Sequence, residues 1–374
     1  MKVLMLGRSG LFKAYGGDRL QMESTANELK KLGISVDIKV DTNFDVNDYD
    51  LFHIFQLDWV TDHYFYIKKI KPSGKPIILS PIHHNIDEVT KFDDVYAFDF
   101  RRISKVLFKN QYNRDVFKNV YRSIGDFNLF RQTVFSIFYG FKRMQEKSLR
   151  SVDKVLVQTE LEAADLLKGF GVDMDWAKIP NGVSHHFLSI MVPENKLGFS
   201  DYIICVGRIE PRKNQLNVIE AVAKLRKELA KDLRLVFVGA SNNIKHFEYN
   251  AKFSSLVSKF DWIKVIKWIP NSEMPSYFHY AKVAVSASWF ETTGLTSLEA
   301  LFCGTNAVAS GERAKEYLGG YASYCDPNDV ESIKEAIKKE LFAPRPKIDD
   351  SVRKEYTWEN AAKKTAEEYR KLLK

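Results

Sequence analysis

The sequence predicts an α/β protein with two doubly wound, Rossmann-like domains facing a central cleft. Short apolar runs alternate with helix-forming stretches along most of the 374 residues, as expected for parallel sheets with helices on both faces. Several of these runs are apolar without interruption, which is typical of strands covered on both sides. The alternation stops near residue 180 and restarts near residue 200, so the chain contains two series of elements.

The strands follow in order along each series. The first series contains predicted strands at Val3–Leu6, Ser35–Val40, Leu51–Phe55, Ile77–Leu79 and Lys154–Val157. The second series contains predicted strands at Tyr202–Val206, Arg234–Val238, Ile263–Ile266, Val283–Val285 and Ala307–Ala309. Good helix formers without a breaker predict a last helix from Trp358. We therefore predict domains over residues 1–185 and 196–355, followed by a C-terminal helix over 356–374.

Composition excludes several classes of protein. Hydrophobic residues make up 45% and charged residues 28% of the chain, which excludes long disorder and collagen-like repeats. Cys205, Cys303 and Cys325 are too few and too scattered for a disulfide framework, and they favour a reducing compartment. The first residues lack the pattern of a signal peptide, and no stretch is apolar for long enough to span a membrane. These features predict a cytoplasmic protein.

Positive charge is concentrated in one segment. The chain has 56 Lys or Arg residues against 48 Asp or Glu residues. Residues 101–150 alone contain twelve basic and three acidic residues, interleaved with ten aromatic residues that partly follow a helical spacing. This segment therefore accounts for the basic character of the chain, and a localised patch attracts an anionic surface more strongly than a basic average does.

Three hypotheses fit the basic aromatic segment. A cationic amphipathic helix pair would lie on anionic lipid, and it would place the protein peripherally on the inner face of the plasma membrane. Equally, the aromatic stripe would belong to the core and the charges to a solvated face. Nucleic-acid binding is the weakest hypothesis, because the chain contains no known recognition module. We expect no nucleic acid as a partner.

A glycine loop follows the first strand. Gly7, Gly10, Gly16 and Gly17 precede a predicted helix, where backbone can approach a phosphate closely. The spacing is neither the dinucleotide fingerprint nor a P-loop. The alternative is an ordinary loop in which Asp18 caps the next helix.

Cations follow the first strand of the second series. Gly207 is succeeded by Arg208, Arg212 and Lys213, which would neutralise a diphosphate at a strand end. Arg208 offers a planar fork and Lys213 a point charge. The alternative is a solvated basic turn.

Two glutamates flank a predicted helix start. We expect Glu291 in a loop and Glu299 in the first turn of the next helix, because residues eight apart do not share a helix face. Backbone N–H groups of Gly294, Leu295 and Thr296 would then bind a phosphate. The alternative explains Glu299 without a ligand, because Thr296 and Glu299 have the spacing of a capping box.

A histidine pair follows the strand at Ile77–Leu79. His83 or His84 would lie at the cleft and orient or help to deprotonate a hydroxyl. The alternative is a purely structural pair.

Together these motifs resemble retaining glycosyltransferases of the GT-B fold in glycosyltransferase family 4 (glycosyl transferases group 1). Gly16-Gly17 resembles the family's glycine loop, and Gly207-Arg208 with Lys213 resembles its donor-phosphate motif. The segment from Glu291 to Glu299 matches its Glu-x7-Glu motif. Further similar segments are Pro180-Asn181-Gly182-Val183, Tyr324-Cys325-Asp326-Pro327 and Tyr356-Thr357-Trp358-Glu359. The resemblance is strong over residues 150–374 and thin over residues 1–150.

The resemblance implies transfer of a sugar from a nucleotide-diphosphate sugar to an acceptor hydroxyl with retention of configuration, without a cofactor or a metal. The acceptor would bind the N-terminal domain and would belong to polysaccharide, glycolipid or glycoprotein synthesis at the cell surface. Catalytic roles are implied for Arg208, Lys213 and Glu291, with His83 or His84. Donor binding is implied for Gly16, Gly17, Gly207, Arg208, Lys213, Glu291, Thr293, Gly294, Leu295, Thr296 and Glu299.

One departure from the family stands at the histidine motif. Family members often have Thr-x-His at this strand end, whereas a gapless match here gives Ser80-Pro81-Ile82. A catalytic role of His83 or His84 would need a shift of the motif. A sugar-nucleotide epimerase or phosphorylase-like enzyme of the same fold is the alternative activity, and a non-enzymatic lipid- or nucleic-acid-binding protein is the alternative class.

Overall fold

The computed structural model describes residues 1–12, 16–95, 134, 138–189, 191–241 and 246–374. Its strands form two six-stranded sheets. All pairings between the strands of these sheets are parallel. The predicted α/β class with two Rossmann-like sheets is therefore confirmed.

The strands alternate with helices in both halves of the chain. The strands are β1 (Lys2–Leu6), β2 (Ser35–Lys39), β3 (Leu51–Phe55), β4 (Ile77–Ser80), β5 (Lys154–Val157), β6 (Trp176–Lys178), β7 (Tyr202–Val206), β8 (Leu235–Val238), β9 (Ile263–Ile266), β10 (Ala281–Ser286), β11 (Asn306–Ala309) and β12 (Ala322–Tyr324). The first sheet has the order β2-β1-β3-β4-β5-β6, and the second has the order β12-β11-β10-β7-β8-β9.

The helices of the described residues are α1 (Gly17–Lys31), α2 (Val60–Ile70), α3 (Ile86–Val95), α4 (Phe141–Ser151), α5 (Glu160–Phe170), α6 (Gln215–Leu229), α7 (Phe247–Val257), α8 (Met274–Tyr280), α9 (Leu295–Phe302), α10 (Glu312–Leu318), α11 (Val330–Phe342), α12 (Asp350–Glu355) and α13 (Trp358–Leu372). Both faces of the first sheet are covered by apolar clusters. In the second sheet one face packs on a continuous apolar cluster, and residues of the other face such as Ile204 and Val236 are also buried.

Every predicted strand is present, with small shifts at its ends, and two strands were missed. Both β6 and β12 are three residues long and lie at the outer edge of a sheet. Such short strands do not complete the alternation that reveals a strand in a sequence, and Trp176 of β6 is exposed.

The chain forms two compact units. Unit 1 comprises the described residues of Met1–Ile86, Phe108–Gly182 and Glu355–Lys374, and unit 2 comprises those of Asp87–Leu107 and Val183–Lys354. The last helix thus belongs to the same unit as the first strand.

Helix α13 is built into the core of unit 1. Ala366 and Tyr369 are completely buried in the cluster that covers β1. The Tyr369 hydroxyl lies 2.7 Å from Nδ1 of buried His53, whose Nε2 lies 2.8 Å from Ser80 Oγ. At Gly182, a Cβ atom would lie only 2.1 Å from the backbone of Thr357, the N-cap of α13. The chain packs so closely here that only glycine fits.

Most of the basic aromatic segment 101–150 lies outside the described residues. The part that is described contains α4, which buries Phe141 and Met144 against Val60 and Tyr64 of α2. Phe138 is 87% exposed. Among the helices described above, none is both long and apolar enough to cross a membrane.

Candidate active site

The candidate site of unit 2 lies at the carboxyl edge of the second sheet. Strands β7 and β10 are parallel neighbours at its centre, so the loops that follow them lie side by side. The first loop carries Arg208, Arg212 and Lys213, and the second carries Glu291. The fold therefore brings together the two motifs that the sequence separates by about eighty residues.

Close backbone packing fixes the loop after β7. Gly207 has a φ of 145°, and a Cβ atom on Gly239 at the end of β8 would lie 1.9 Å from the Gly207 carbonyl oxygen. No side chain fits between these two strand ends. The loop is consequently held at the sheet edge by its backbone before any side chain contributes.

Glu291 is held by two cations. Lys213 Nζ donates to Glu291 Oε1, and Arg212 Nη1 lies 3.5 Å from Oε2. All three side chains are at most 20% exposed. Burial raises the pKa of Glu291, but Lys213 and Arg212 together lower it by a larger amount. The resulting pKa is about 2. The carboxylate is ionised throughout the neutral range.

A second carboxylate, Glu210, organises the arginines. Its Oε1 accepts from Arg212 Nε at 3.2 Å and Nη2 at 3.1 Å, and from Arg208 Nη2 at 3.3 Å. The carbonyl oxygen of Phe290 lies 3.3 Å from Arg212 Nη1. Arg212 is therefore engaged by protein acceptors at Nε, Nη1 and Nη2, whereas Arg208 is 57% exposed and is the more accessible cation. Glu210 was not predicted as a site residue. Its position between Arg208 and Arg212 in the sequence could have indicated that it binds both arginines.

The start of α9 differs from the prediction in two respects. Its N-cap is Gly294, and no side chain caps it, so the alternative interpretation of Thr296 and Glu299 as a capping box is wrong. Glu299 was expected in the first turn of the helix. Because the helix begins at Leu295, Glu299 instead lies beyond the first turn. A Cβ atom on Gly294 would lie 2.9 Å from Leu318 Cδ1, which favours glycine over a capping side chain here.

The backbone at this helix start has the predicted donors. The N–H groups of the first helical residues, Leu295 and Thr296, have no acceptor within the helix. Glu291 stands three residues before the cap, in a loop as predicted, and Thr293 is buried beside it. The helix end contributes a partial positive charge close to the Lys213–Glu291 pair.

Glu299 has the opposite electrostatic environment to Glu291. It is 8% exposed, and its carboxyl group has no hydrogen-bond or ion-pair partner among the residues that the structure describes. Burial raises its pKa to about 8. At neutral pH Glu299 is mostly protonated, so it can both donate and accept a hydrogen bond, whereas Glu291 only accepts.

The glycine loop of unit 1 is described on either side of residues 13–15. Gly16 is the N-cap of α1, so the alternative in which Asp18 caps this helix is wrong. Asp18 Oδ2 instead accepts from Arg8 Nε at 2.5 Å, and the Arg8 guanidinium lies over the ring of Trp59. Like Arg208 and Arg212 of unit 2, Arg8 thus follows a strand end and is paired with a carboxylate.

The histidine pair of unit 1 contacts Asp58, which sequence analysis missed. Nδ1 of His83 lies 2.5 Å from Asp58 Oδ1, and Nδ1 of His84 lies 3.2 Å from Oδ2. Asp58 stands after β3, 25 residues before His83, and nothing in its local sequence marks it. The gapless family match aligns Ser80 and Ile82 with the family's threonine and histidine. Here Ser80 contacts His53 and Ile82 is buried in the core. His83 and His84 therefore lie one and two residues after the position of the family's histidine.

The C-terminal half matches a known family. Residues 191–356 match the family model "Glycosyl transferases group 1". The O-antigen chain mannosyltransferase B of Escherichia coli is 27% identical over 47% of this chain and 48% of its own length. The MMP alpha-(1->4)-mannosyltransferase of Mycolicibacterium hassiacum is 25% identical over 63% of this chain and 58% of its own length. The chain spans about half the length of the curated relatives it matches.

Solved structures extend the likeness to the whole chain. The sucrose-phosphate synthase of Thermosynechococcus elongatus has a TM-score of 0.71 at 17% identity and covers 100% of this chain and 99% of its own. The Anabaena protein HepE in complex with UDP has a TM-score of 0.66 at 14% identity and covers 99% and 100%. These likenesses establish the GT-B fold class of two Rossmann-like sheets.

Proposed function

We propose that the protein is a glycosyltransferase that moves a sugar from a nucleoside-diphosphate sugar to an acceptor hydroxyl with retention of configuration. The observation that carries this proposal is the pairing of Lys213 with Glu291 beside the start of α9. It joins a cation for a diphosphate, a carboxylate for sugar hydroxyls and free backbone donors within one short stretch of sheet edge. The family match over residues 191–356 supports it, as does the UDP bound to the HepE neighbour.

Each residue has a distinct role in this proposal. Arg208 and Lys213, with the N–H groups of Leu295 and Thr296, stabilise the charge that develops on the departing nucleoside diphosphate. These groups supply the neutralisation that a metal ion provides in other transferases, so the reaction needs no metal. Lys213 exchanges its bond to Glu291 for the phosphate, while Arg212 keeps the carboxylate in place.

The two glutamates act at different parts of the donor. Glu291 accepts hydrogen bonds from hydroxyls of the donor sugar, where an anion also stabilises the oxocarbenium-like transition state. Glu299, which can donate and accept, binds ribose hydroxyls. Retention follows from attack on the face that the leaving group occupies, with the leaving phosphate oxygen taking the acceptor proton.

The experiment is a thermal-shift screen against nucleoside diphosphates and their sugars. A compound that binds only the folded protein raises its melting temperature. We expect stabilisation by at least one nucleoside diphosphate in the presence of EDTA, and release of that diphosphate from the matching sugar nucleotide when an acceptor is added. Turnover that needs inorganic phosphate instead would indicate a phosphorylase-like enzyme, and the absence of any nucleotide effect would contradict the proposal.

We also propose that the acceptor is lipid-linked and that the protein binds the inner face of the plasma membrane. Helix α4 supports this proposal because it presents exposed Lys142, Arg143, Lys147 and Arg150 opposite its buried side. Anionic headgroups attract such a cationic face.

A further inference from the structure

One carboxylate of the site in unit 2 has no substrate in the proposed function. The Glu210 side chain is 10% exposed, and its Oε1 accepts from Arg212 Nε at 3.2 Å and Nη2 at 3.1 Å. The same oxygen accepts from Arg208 Nη2 at 3.3 Å. The other oxygen, Oε2, lies 4.0 Å from His246 Nε2. Glu210 thus contacts both arginines of the loop after β7.

The charges at this sheet edge leave a small positive excess. The three cations are Arg208, Arg212 and Lys213, and the two carboxylates are those of Glu210 and Glu291. Burial raises the pKa of Glu210, but the nearby cations, Arg212 first and then Arg208, lower it by a larger amount, so the pKa is below its ordinary value. Both carboxylates are therefore ionised at neutral pH, and these five side chains carry a net charge of +1.

The two arginines differ in how firmly the protein holds them. Arg212 Nη1 also lies 3.3 Å from the carbonyl oxygen of Phe290 and 3.5 Å from Glu291 Oε2. The Arg212 side chain is 20% exposed, against 57% for Arg208. Arg208 meets Glu210 at the longest of the three distances to Oε1. A bound anion can therefore draw Arg208 away from Glu210 while Arg212 stays in place.

We propose that Glu210 is a positioning residue with two effects on the donor site. It holds the Arg212 guanidinium against Glu291, and it weakens the binding of the nucleoside diphosphate by competing for Arg208. This inference rests on the proposed function, because it takes the ligand of Arg208 to be a nucleoside diphosphate. Binding energy is thereby exchanged for orientation of the groups that act on the donor, which favours turnover over tight binding.

The hydrogen bonds of Arg212 support the first effect. A carboxylate oxygen that accepts from both Nε and Nη2 fixes one edge of the planar guanidinium. The opposite nitrogen, Nη1, is then directed at the Glu291 carboxylate. Without Glu210 the guanidinium could rotate about its long side chain, and Glu291 would lose a fixed partner.

The contact with Arg208 supports the second effect. A diphosphate that binds Arg208 must take it from Glu210, whose negative charge also repels the phosphate oxygens at close range. After sugar transfer the carboxylate takes Arg208 back, which favours release of the diphosphate product.

The first test measures binding. Glu210→Gln keeps the shape and a hydrogen-bond acceptor but removes the charge, and Glu220→Gln is the matched control because Glu220 of α6 is 58% exposed. Uridine, guanosine and adenosine diphosphates are titrated into each protein by calorimetry. For a diphosphate that binds, Glu210→Gln should lower the dissociation constant by about 3- to 10-fold, and the control should leave it unchanged. Equal or weaker binding in Glu210→Gln overturns the proposal.

The second test is kinetic and separates charge from reach. Glu210→Asp keeps the charge but is one methylene shorter, so it should retain the wild-type dissociation constant and still lose the orientation of Arg212. We expect kcat to fall by about 10-fold in both variants, with a lower donor KM in Glu210→Gln alone. A merely structural role would reduce the amount of active protein without lowering KM. An unchanged kcat in both variants, or a raised KM in Glu210→Gln, overturns the proposal.

A third measurement needs no nucleotide. The Arg212 Nε–H group is followed by nitrogen-15 NMR and identified by its loss in Arg212→Lys. We expect slow exchange with solvent in the wild type and in Glu220→Gln, and faster exchange in Glu210→Gln, where the acceptor is uncharged. A rapidly exchanging Nε–H in the wild type overturns the proposal, even if no variant folds.

These measurements separate this inference from the proposed function. If no nucleoside diphosphate binds the wild type or Glu210→Gln, the proposed function is wrong and the competition for Arg208 falls with it. The exchange rate of Arg212 Nε–H still decides the positioning role in that case. If a diphosphate binds the wild type but binds Glu210→Gln no more tightly, this inference alone is wrong.

Discussion

The two candidate sites, one in each unit, are built alike but differ in how they balance charge. Each lies where two neighbouring parallel strands end, β7 and β10 in unit 2 and β3 and β4 in unit 1. In unit 2 the carboxylate of Glu291 is held by permanent cations, Lys213 and Arg212. In unit 1 the carboxylate of Asp58 is held by imidazoles. The first arrangement suits a diphosphate, which needs fixed positive charge, and the second suits hydroxyl groups.

Removing the cations of the site in unit 2 should have the largest effect. Arg208→Ala and Lys213→Ala should each reduce turnover by about 100- to 1000-fold, the usual cost of removing a donor that stabilises transition-state charge. Stabilisation by nucleoside diphosphate should be lost with it. Lys224→Ala is the control, because Lys224 lies on α6 in the same unit and its ion pairs with described residues are exposed and 3.8 Å long. Parental turnover in both site variants would contradict the assignment.

A substitution at Gly182 tests whether the sites in the two units are structurally independent. Gly182→Ala would place a Cβ atom 2.1 Å from the backbone of Thr357, so we expect a loss of about 4 kcal/mol or more in the stability of unit 1. Denaturation followed by circular dichroism measures this loss. Gly17→Ala is the stability control, because no described atom outside its chain neighbours and its own helix backbone lies within 4 Å of its Cβ position. Nucleoside diphosphate binding should survive in Gly182→Ala, and a matching loss in unit 2 would refute independence.

The two glutamates of unit 2 should show opposite dependence on pH. The folded pKa of Glu299, about 8, is above its ordinary value of 4.5, so its contribution to stability is complete below pH 4.5 and is lost as pH rises to 8. The folded pKa of Glu291, about 2, is below that value, so its contribution is complete above pH 4.5 and is lost as pH falls to 2.

Variants resolve these two contributions. Unfolding free energies of Glu299→Gln and Glu291→Gln, measured against pH, should each lack one of the two slopes, with a change of about 5 kcal/mol across the window of Glu299 and about 3 kcal/mol across that of Glu291. A wild-type stability that stays level from pH 4.5 to 8 relative to Glu299→Gln would show that Glu299 has a partner in solution.

The smallest effect concerns the cationic face of α4 in unit 1. Replacing Lys142, Arg143 and Arg150 with Ala should weaken binding to anionic vesicles by about 1 kcal/mol for each residue. Sedimentation with vesicles of neutral and of anionic lipid measures this change, and Lys224→Ala again serves as the control. Equal partition of the wild type between the two vesicle types would count against membrane docking.

The contrast between the units also explains what could be predicted from the sequence. Buried strands such as Leu51–Phe55 were found because an apolar run marks them, whereas β6 and β12 are too short to do so. Lys213 and Glu291 were selected because each lies in a compact motif. Asp58 was not predicted as a site residue because its histidine partners follow a different strand. A single sequence does not reveal which strand ends become neighbours.

Helix starts were the least predictable feature. Thr296 and Asp18 both have the chemistry of a helix cap, but Gly294 and Gly16 hold those positions. At Gly294 a Cβ atom would lie 2.9 Å from Leu318 Cδ1, so the Leu318 side chain would have to shift. At Asp18 the carboxylate is taken by Arg8, ten residues earlier. In both cases a tertiary contact outweighed the local preference.

The position of α13 has a consequence for biosynthesis. During translation β1 and β3 leave the ribosome well before the Tyr369 ring that contacts His53 and the Ala366 methyl that fills the core beneath β1, because the residues of unit 2 lie between them. This sheet face is therefore covered by α1 but lacks the residues of α13 while Val183–Lys354 of unit 2 are synthesised. Nascent chains halted before Glu355 should be bound by chaperones through that face, and they should be released when residues 355–374 have been added.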